Sequence, residues 1–173
     1  GYNELAEESI AQNQPEPFAW FRHQKCKVEF NKAQVLTLSH EISDYTGGAH
    51  GMFVKIWYNY DLEKKAAILL PEMLQDSSAF MRTAEQLFRK QEGLSDTAKF
   101  ESTYFFEQQK FALSANFGLL QDGIIFFYNP YEIKAFAEGV TELFIPYDAI
   151  KGTLNTKGKG LISRIQSINT PNS

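Results

Sequence analysis

A single cysteine, Cys26, stands among 173 residues, so no disulfide can close within the chain and the redox compartment is left open. Cys26, Val28 and Phe30 alternate with Lys25, Lys27 and Glu29, a pattern that predicts a small core residue on the apolar face of a strand. Long hydrophobic runs are missing as well. The longest, near Ile124-Ile125-Phe126-Phe127-Tyr128, is strand-sized and far short of the roughly 18 to 20 residues of a membrane-spanning helix. Basic clusters are scarce: apart from Lys157-Gly158-Lys159-Gly160, no Lys or Arg group stands out against a net charge of -4. Phosphate-backbone binding therefore lacks electrostatic support, and no nucleic-acid partner is expected. No signal-like stretch opens the chain, which starts at Gly1 directly before an acidic helix-forming run, Glu4 to Ile10. What precedes it is left open, and location does not follow from this start.

Aromatic residues, by contrast, are plentiful at 14%, with 15 Phe and 8 Tyr, which favours a sheet-rich core. Residues 4 to 12 read as a short helix ended by Pro15-Glu16-Pro17, and Phe18 to Phe30 as a strand that turns near Asn31-Lys32. Val35 to Tyr45 alternates Leu36, Leu38, His40 and Ile42 with Thr37, Ser39, Glu41 and Ser43. Phe53 to Tyr60 follows as a third strand. The period then changes: Phe80, Ala84, Leu87 and Phe88 recur at helical spacing, with Ser77 or Ser78 to cap the start and Gly93 to end it. Strands return at Lys110 to Phe117, Gly123 to Tyr128 and Val140 to Ile145, with Asp122-Gly123 as a hairpin turn. Beyond Lys151, glycines suggest a mobile tail, although Leu161, Ile162 and Ile165 could add a short helix or a last strand. This order predicts an α+β fold, a mainly antiparallel sheet covered by one main helix.

The densest chemistry lies in Tyr45-Thr46-Gly47-Gly48-Ala49-His50-Gly51, a glycine-rich turn between two strands. It lacks the GxxxxGK[ST] pattern and a following helix, so it is no phosphate loop. His23, His40 and His50 have no companion at metal-ligand spacing, and no metal or other cofactor is expected. Ser39-His40-Glu41 holds the residue types of a triad, but neighbours on a strand point apart. Two readings of the turn formed by Gly47, Gly48 and Gly51 remain: a tight connection in which Gly47 and Gly48 supply unusual backbone angles and His50 bonds neighbouring carbonyls, or a recognition surface carrying Tyr45 and His50.

A second dense stretch, Asn129-Pro130-Tyr131-Glu132-Ile133, closes the buried strand before it. Pro130 fixes its own φ and disfavours the helical region for Asn129, so the chain must turn. An exposed Tyr131 beside a rigid proline makes a low-entropy anchor for a partner.

Together, these two motifs and the following Gly139 and Ile145-Pro146-Tyr147 resemble a bacterial extracytoplasmic domain-of-unknown-function family. Its members include the lysozyme-sensing anti-sigma-V factor and a peptidoglycan deacetylase in which the domain is an accessory. The resemblance covers roughly residues 35 to 151. It implies that residues 1-34 are the tail end of a preceding small α+β domain, that residues 35-151 form the anti-sigma-V-like domain, and that 152-173 are a C-terminal tail. It further implies an extracytoplasmic protein at the periplasm or cell surface, a lipoprotein or membrane-anchored ectodomain, that binds a lysozyme-like protein or peptidoglycan. One departure stands out: where the family continues with Ala-Pro-Tyr-Ala, this chain has Lys134-Ala135-Phe136-Ala137.

The function expected is therefore non-enzymatic binding or sensing, through Tyr45, His50, Asn129, Pro130, Tyr131 and Glu132. The rival from another class is a cell-wall hydrolase with His50 as general base, assisted by Glu41 or Glu132. A purely structural envelope module is the third.

Overall fold

Ala33 and Gln34 both adopt positive φ, 51° and 59°, the pair of left-handed conformations that a type I′ turn requires and that matches the twist of the strands it joins. β1 (Phe21–Lys32) and β2 (Val35–Tyr45) run antiparallel from this turn. It lies two residues beyond the predicted position, because Asn31 and Lys32 stay in the ladder opposite Leu36 and Val35. The computed structural model describes residues 1–13, 19–101 and 103–167. The predicted Pro15-Glu16-Pro17 linker and Phe18 lie outside them.

β3 (Met52–Asp61) pairs with the other edge of β2, and the short β4 (Ala66–Ala67) with the end of β3, in the order β1-β2-β3-β4. A bulge interrupts β1. Pairing passes from Val28↔Leu38 to Phe30↔Thr37, so Glu29 is the extra residue and the faces exchange there. Phe30 joins Val35 and Thr37 on the buried face, whereas Cys26 and Val28 stay on the other. Cys26 is exposed, contrary to its predicted place in the core. Alternation fails across a bulge, and from Phe21 to Val28 the outer strand has both faces in water.

On β2 the buried side is the polar one, with Thr37 and Ser39 at 0% and 1% exposure. Partners make this tolerable: the Thr37 hydroxyl donates to the Leu119 carbonyl at 2.8 Å, and the Ser39 hydroxyl to Glu29 Oε1 at 2.7 Å. Leu119 belongs to a second antiparallel sheet, β5 (Phe117–Leu119), β6 (Gly123–Tyr128) and β7 (Thr141–Pro146), in that order.

Asparagine amides join the sheets. Asn59 Nδ2 donates to the Phe117 carbonyl (2.7 Å) and its Oδ1 accepts from the Leu119 N–H (2.8 Å). Reciprocally, Asn116 Oδ1 accepts from the Trp57 N–H (2.8 Å) and its Nδ2 donates to the Lys55 carbonyl (2.7 Å). Asn116 thereby occupies backbone groups on the outer edge of β3 that a further strand would otherwise take, and Asn59 does the same for the edge of β5. The predicted strand from Lys110 shrinks to three residues accordingly: Gln108 and Gln109 turn the chain at φ 51° and 61°, and Asn116 offers its amide instead of its backbone. Gly118 completes the contact, since a Cβ there would fall 2.1 Å from Trp57 Cε3.

The far face of the second sheet packs on α2 (Ser77–Gln91), which buries Phe80, Ala84 and Phe88. Asp76, one residue before the predicted serines, is its cap: Oδ1 accepts from the Ala79 N–H at 2.8 Å. Phe88 sits at the centre of a ring cluster with Phe100, Tyr104, Phe106 and Phe111. After α3 (Tyr147–Ile150), the stretch read as a mobile tail, with a short helix or last strand as the alternative, forms the helix α4 (Thr156–Gln166), which buries Leu161, Ile162 and Ile165. Its Arg164 pairs with Asp61 Oδ2 at 2.8 Å. Burial opposes the Asp61 charge, but Arg164 and the Lys64 N–H outweigh it and hold the carboxyl below its ordinary range. α1 (Tyr2–Ala11) buries no residue. The fold is α+β, with antiparallel strands divided between two sheets. No helix among the described residues is long and apolar enough to cross a membrane.

Candidate functional site

β2 and β3 end at the pair Asp44↔Met52, and the glycine turn must carry the chain across. Gly47 and Gly48 do so at φ 98° and 96°, conformations that side chains rarely tolerate. Gly51 is needed for room, since a Cβ there would lie 2.6 Å from the Asp44 carbonyl. The Tyr45 hydroxyl closes the turn on the Gly48 carbonyl at 2.9 Å. His50 is thereby carried out at the end of the sheet. Its Nδ1 is 2.9 Å from the Gly51 carbonyl. A carbonyl only accepts, so Nδ1 bears a proton and Nε2 is left for another partner. What it faces is the Tyr131 hydroxyl, at 3.2 Å.

Tyr131 arrives from the second motif. Glu132 Oε2 accepts from the Asn129 N–H (2.9 Å) and Oε1 from the Ser114 hydroxyl (2.7 Å). The Asn129 amide, in turn, accepts from the Lys55 N–H (2.7 Å) and donates to its carbonyl (3.2 Å). Asn129 thus holds the turn against β3, and the exposed Glu132 braces it through Ser114 and the Asn129 N–H. Tyr131 is left at φ 69°, an uncommon conformation for a bulky residue, with 58% exposure. Phe136 completes the site by stacking on His50, with centroids 3.9 Å apart and planes inclined by 15°.

The result is a groove of about 240 Å³ lined by Asp44, Thr46, His50, Phe53, Pro130, Tyr131 and Phe136. That is below the roughly 300 to 1,000 Å³ of drug-sized pockets, so it suits one ring or one side chain. Tyr45 lies in a neighbouring depression with Phe21 and Gly48.

Carboxylates are close in the fold but engaged elsewhere. Asp44 pairs with Arg22 at 2.9 Å, Glu41 with Lys55 at 3.2 Å, and both oxygens of Glu132 are taken as above. Ser39 and His40 lie on opposite faces of β2, bonded to Glu29 and Gln24. Among the described residues no cluster of His, Cys, Asp and Glu is arranged to hold a metal.

Lys134 tethers the loop after Tyr131 to the end of α2. Its Nζ lies 2.6 Å from Glu92 Oε2, which also accepts from the Tyr104 hydroxyl at 2.7 Å. Partial burial disfavours the charge on Glu92, but these two donors outweigh it and depress its pKa. Tyr104 is raised, through burial and that same carboxylate.

Residues 63–148 match the family described as "Protein of unknown function (DUF3298)". The DUF3298 stretch runs from the end of the first sheet to α3, so it contains Tyr131 and Phe136 while His50 lies before it. The groove straddles that boundary. A solved DUF3298 protein from Bacteroides fragilis superposes with a TM-score of 0.78 at 23% identity, over 95% of this chain and 65% of its own. The chain thus spans a little less than two thirds of that relative. A DUF3298 protein from Pseudomonas aeruginosa reaches 0.65 at 22% identity, over 90% and 77%. At such identities the likeness shows a shared fold. No curated protein matches the chain.

Phe136 and Asp44 were missed as site residues from sequence. An aromatic five positions beyond Tyr131 on a proline-fixed turn was the signal available for Phe136. Asp44 offered none, because its relation to the groove depends on strand pairing.

Proposed function

We propose that this chain is a non-enzymatic binding or sensing domain that meets its partner at the His50, Tyr131 and Phe136 groove. One observation carries this reading: Tyr131 keeps an uncommon backbone conformation while its ring stays mostly in water. Such conformations cost of order 1–3 kcal/mol and cluster at sites of function. Around it the roles divide. Tyr131 and His50 make the contact surface, Pro130 stiffens it, and Asn129 and Glu132 hold it in place, with Tyr45 bracing the glycine turn. The resemblance to the anti-sigma-V factor and the deacetylase accessory domain supplies the setting: outside the cytoplasm, anchored through a segment beyond this chain. The partner is then cell-envelope material such as peptidoglycan, or a lysozyme-like protein.

Ala135 and Phe136 stand where the resembling family carries proline and tyrosine, so the stacking ring is kept while a rigid proline and one hydroxyl are lost. The hydrolase reading finds less support, because Glu41 and Glu132 are engaged away from His50. Calorimetry of the full chain against lysozymes and peptidoglycan fragments tests the proposal. His50→Ala and Tyr131→Ala are expected to weaken binding at least tenfold at unchanged Tm. A folded protein that binds none of these ligands overturns the reading, and turnover of the fragments favours the hydrolase.

A further inference from the structure

The glycine turn is a partition between aromatic depressions. On one side lies the groove of His50, Tyr131 and Phe136. Next to it is a depression of about 500 Å³ lined by Phe21, Tyr45 and Gly48, which shares Gly51 with the first. A third, of about 360 Å³, is lined by Trp20, Phe21 and Arg22 and shares Asp44 and Thr46 with the first. Phe21 stacks on Tyr45 with centroids 6.3 Å apart, and a Cβ on Gly47 would lie 3.6 Å from Trp20 Nε1. Trp20 therefore rests against the turn itself. Trp20 and Phe21 are 40% and 45% exposed, so this surface continues the groove with open rings. Charge does not dominate it: Arg22 and Asp44 neutralise each other at 2.9 Å.

We infer that the ligand is a linear glycan laid across the glycine turn, with sugars on both sides of it. This rests on the binding reading above and names its ligand class. A pyranose has an apolar face of C–H groups, which suits the electron-rich face of an exposed ring, and a rim of hydroxyls, which suits Asp44, Thr46 and the turn's carbonyls. Three adjoining depressions about one turn suit a chain of rings better than an isolated one. A basic protein would be drawn to unbalanced negative charge, and here the local charges cancel.

Calorimetry of the full chain against β-1,4-linked N-acetylglucosamine oligomers of one to six sugars tests this. Affinity is expected to rise at least tenfold between two sugars and six. His50→Ala should weaken both. Trp20→Ala should reduce the hexamer to the affinity of the dimer and leave the dimer unchanged, while Trp20→Phe, which keeps a ring, should retain most of the gain. Trp20→Phe also guards against misfolding as the explanation, since its Tm is expected to match the parent. Affinity independent of length, or a gain untouched by both Trp20 variants, overturns the inference and leaves the single-groove reading standing. Binding of a lysozyme without binding of any oligomer overturns the glycan and keeps the binding function. Failure of every ligand removes both.

Discussion

His50 Nε2 and the Tyr131 hydroxyl stand 3.2 Å apart although 81 residues separate them in the chain. Neither turn needs the other to form: one is set by glycines and Tyr45, the other by Glu132 and Asn129. Their meeting follows from both being fastened to β3, through its first residues in one case and through Lys55 in the other.

Tyr131→Gly should separate stability from function. Relief of the left-handed backbone is worth about 1–2 kcal/mol, and the added freedom of glycine returns about 0.5–1 of it. Urea unfolding is expected to show equal or slightly higher stability, with binding to any ligand of the groove lost. A drop of more than about 1 kcal/mol would show that the ring is part of the folded core.

Asn116→Ala removes the partner of the Trp57 N–H and one of the two donors to the Lys55 carbonyl, which keeps the Asn129 amide. Part-buried backbone groups left unpaired cost about 1–3 kcal/mol, so a loss of about 2 kcal/mol is expected in urea unfolding. Asn116→Asp keeps the acceptor but replaces the donor, and should recover only part.

Gly118→Ala places a methyl inside the Trp57 ring. Overpacking of this kind costs about 1–3 kcal/mol, at the upper end here because the ring lies between two sheets. The Trp57 near-ultraviolet circular dichroism band should weaken with it. An unchanged band and an unchanged Tm would disprove the contact.

The Glu92 and Lys134 pair should show in the pH dependence of stability. Glu92 is depressed below its ordinary 4.5, so the folded protein binds fewer protons there than the unfolded chain. The stability it contributes is present above that value and is lost as pH falls through the folded pKa. Lys134→Ala is expected to cost about 1 kcal/mol at pH 7. The gap between parent and variant should narrow as pH drops from about 5 toward 3. A gap constant across that range would mean that the pair adds no charge-dependent stability.

Much of the fold was legible because period and punctuation are local. Val35 to Tyr45 alternates and is a strand over those same bounds, and Phe80, Ala84 and Phe88 mark α2 by their spacing. What misled was also physical. Glu29 is a bulge that no composition rule announces, so Cys26 and Phe30 fell on opposite faces. Asn116, a residue disfavoured in strands, was the available hint that Lys110 to Phe117 would not extend a ladder. Thr37 and Ser39 are buried because Leu119 and Glu29 supply partners, and those partners are chosen by packing.

Sequence alone determined the two turns: glycines at positive φ and a proline-fixed tyrosine follow from backbone sterics that act over a few residues. It determined the helical and strand periods for the same reason. Tertiary structure decided that His50, Tyr131 and Phe136 form one groove, that Asn129 reaches Lys55 while Glu132 binds Ser114, and that the polar side of β2 is the buried one. Those outcomes depend on which strand lies against which, and on where each amide and carboxylate finds its partner across tens of residues.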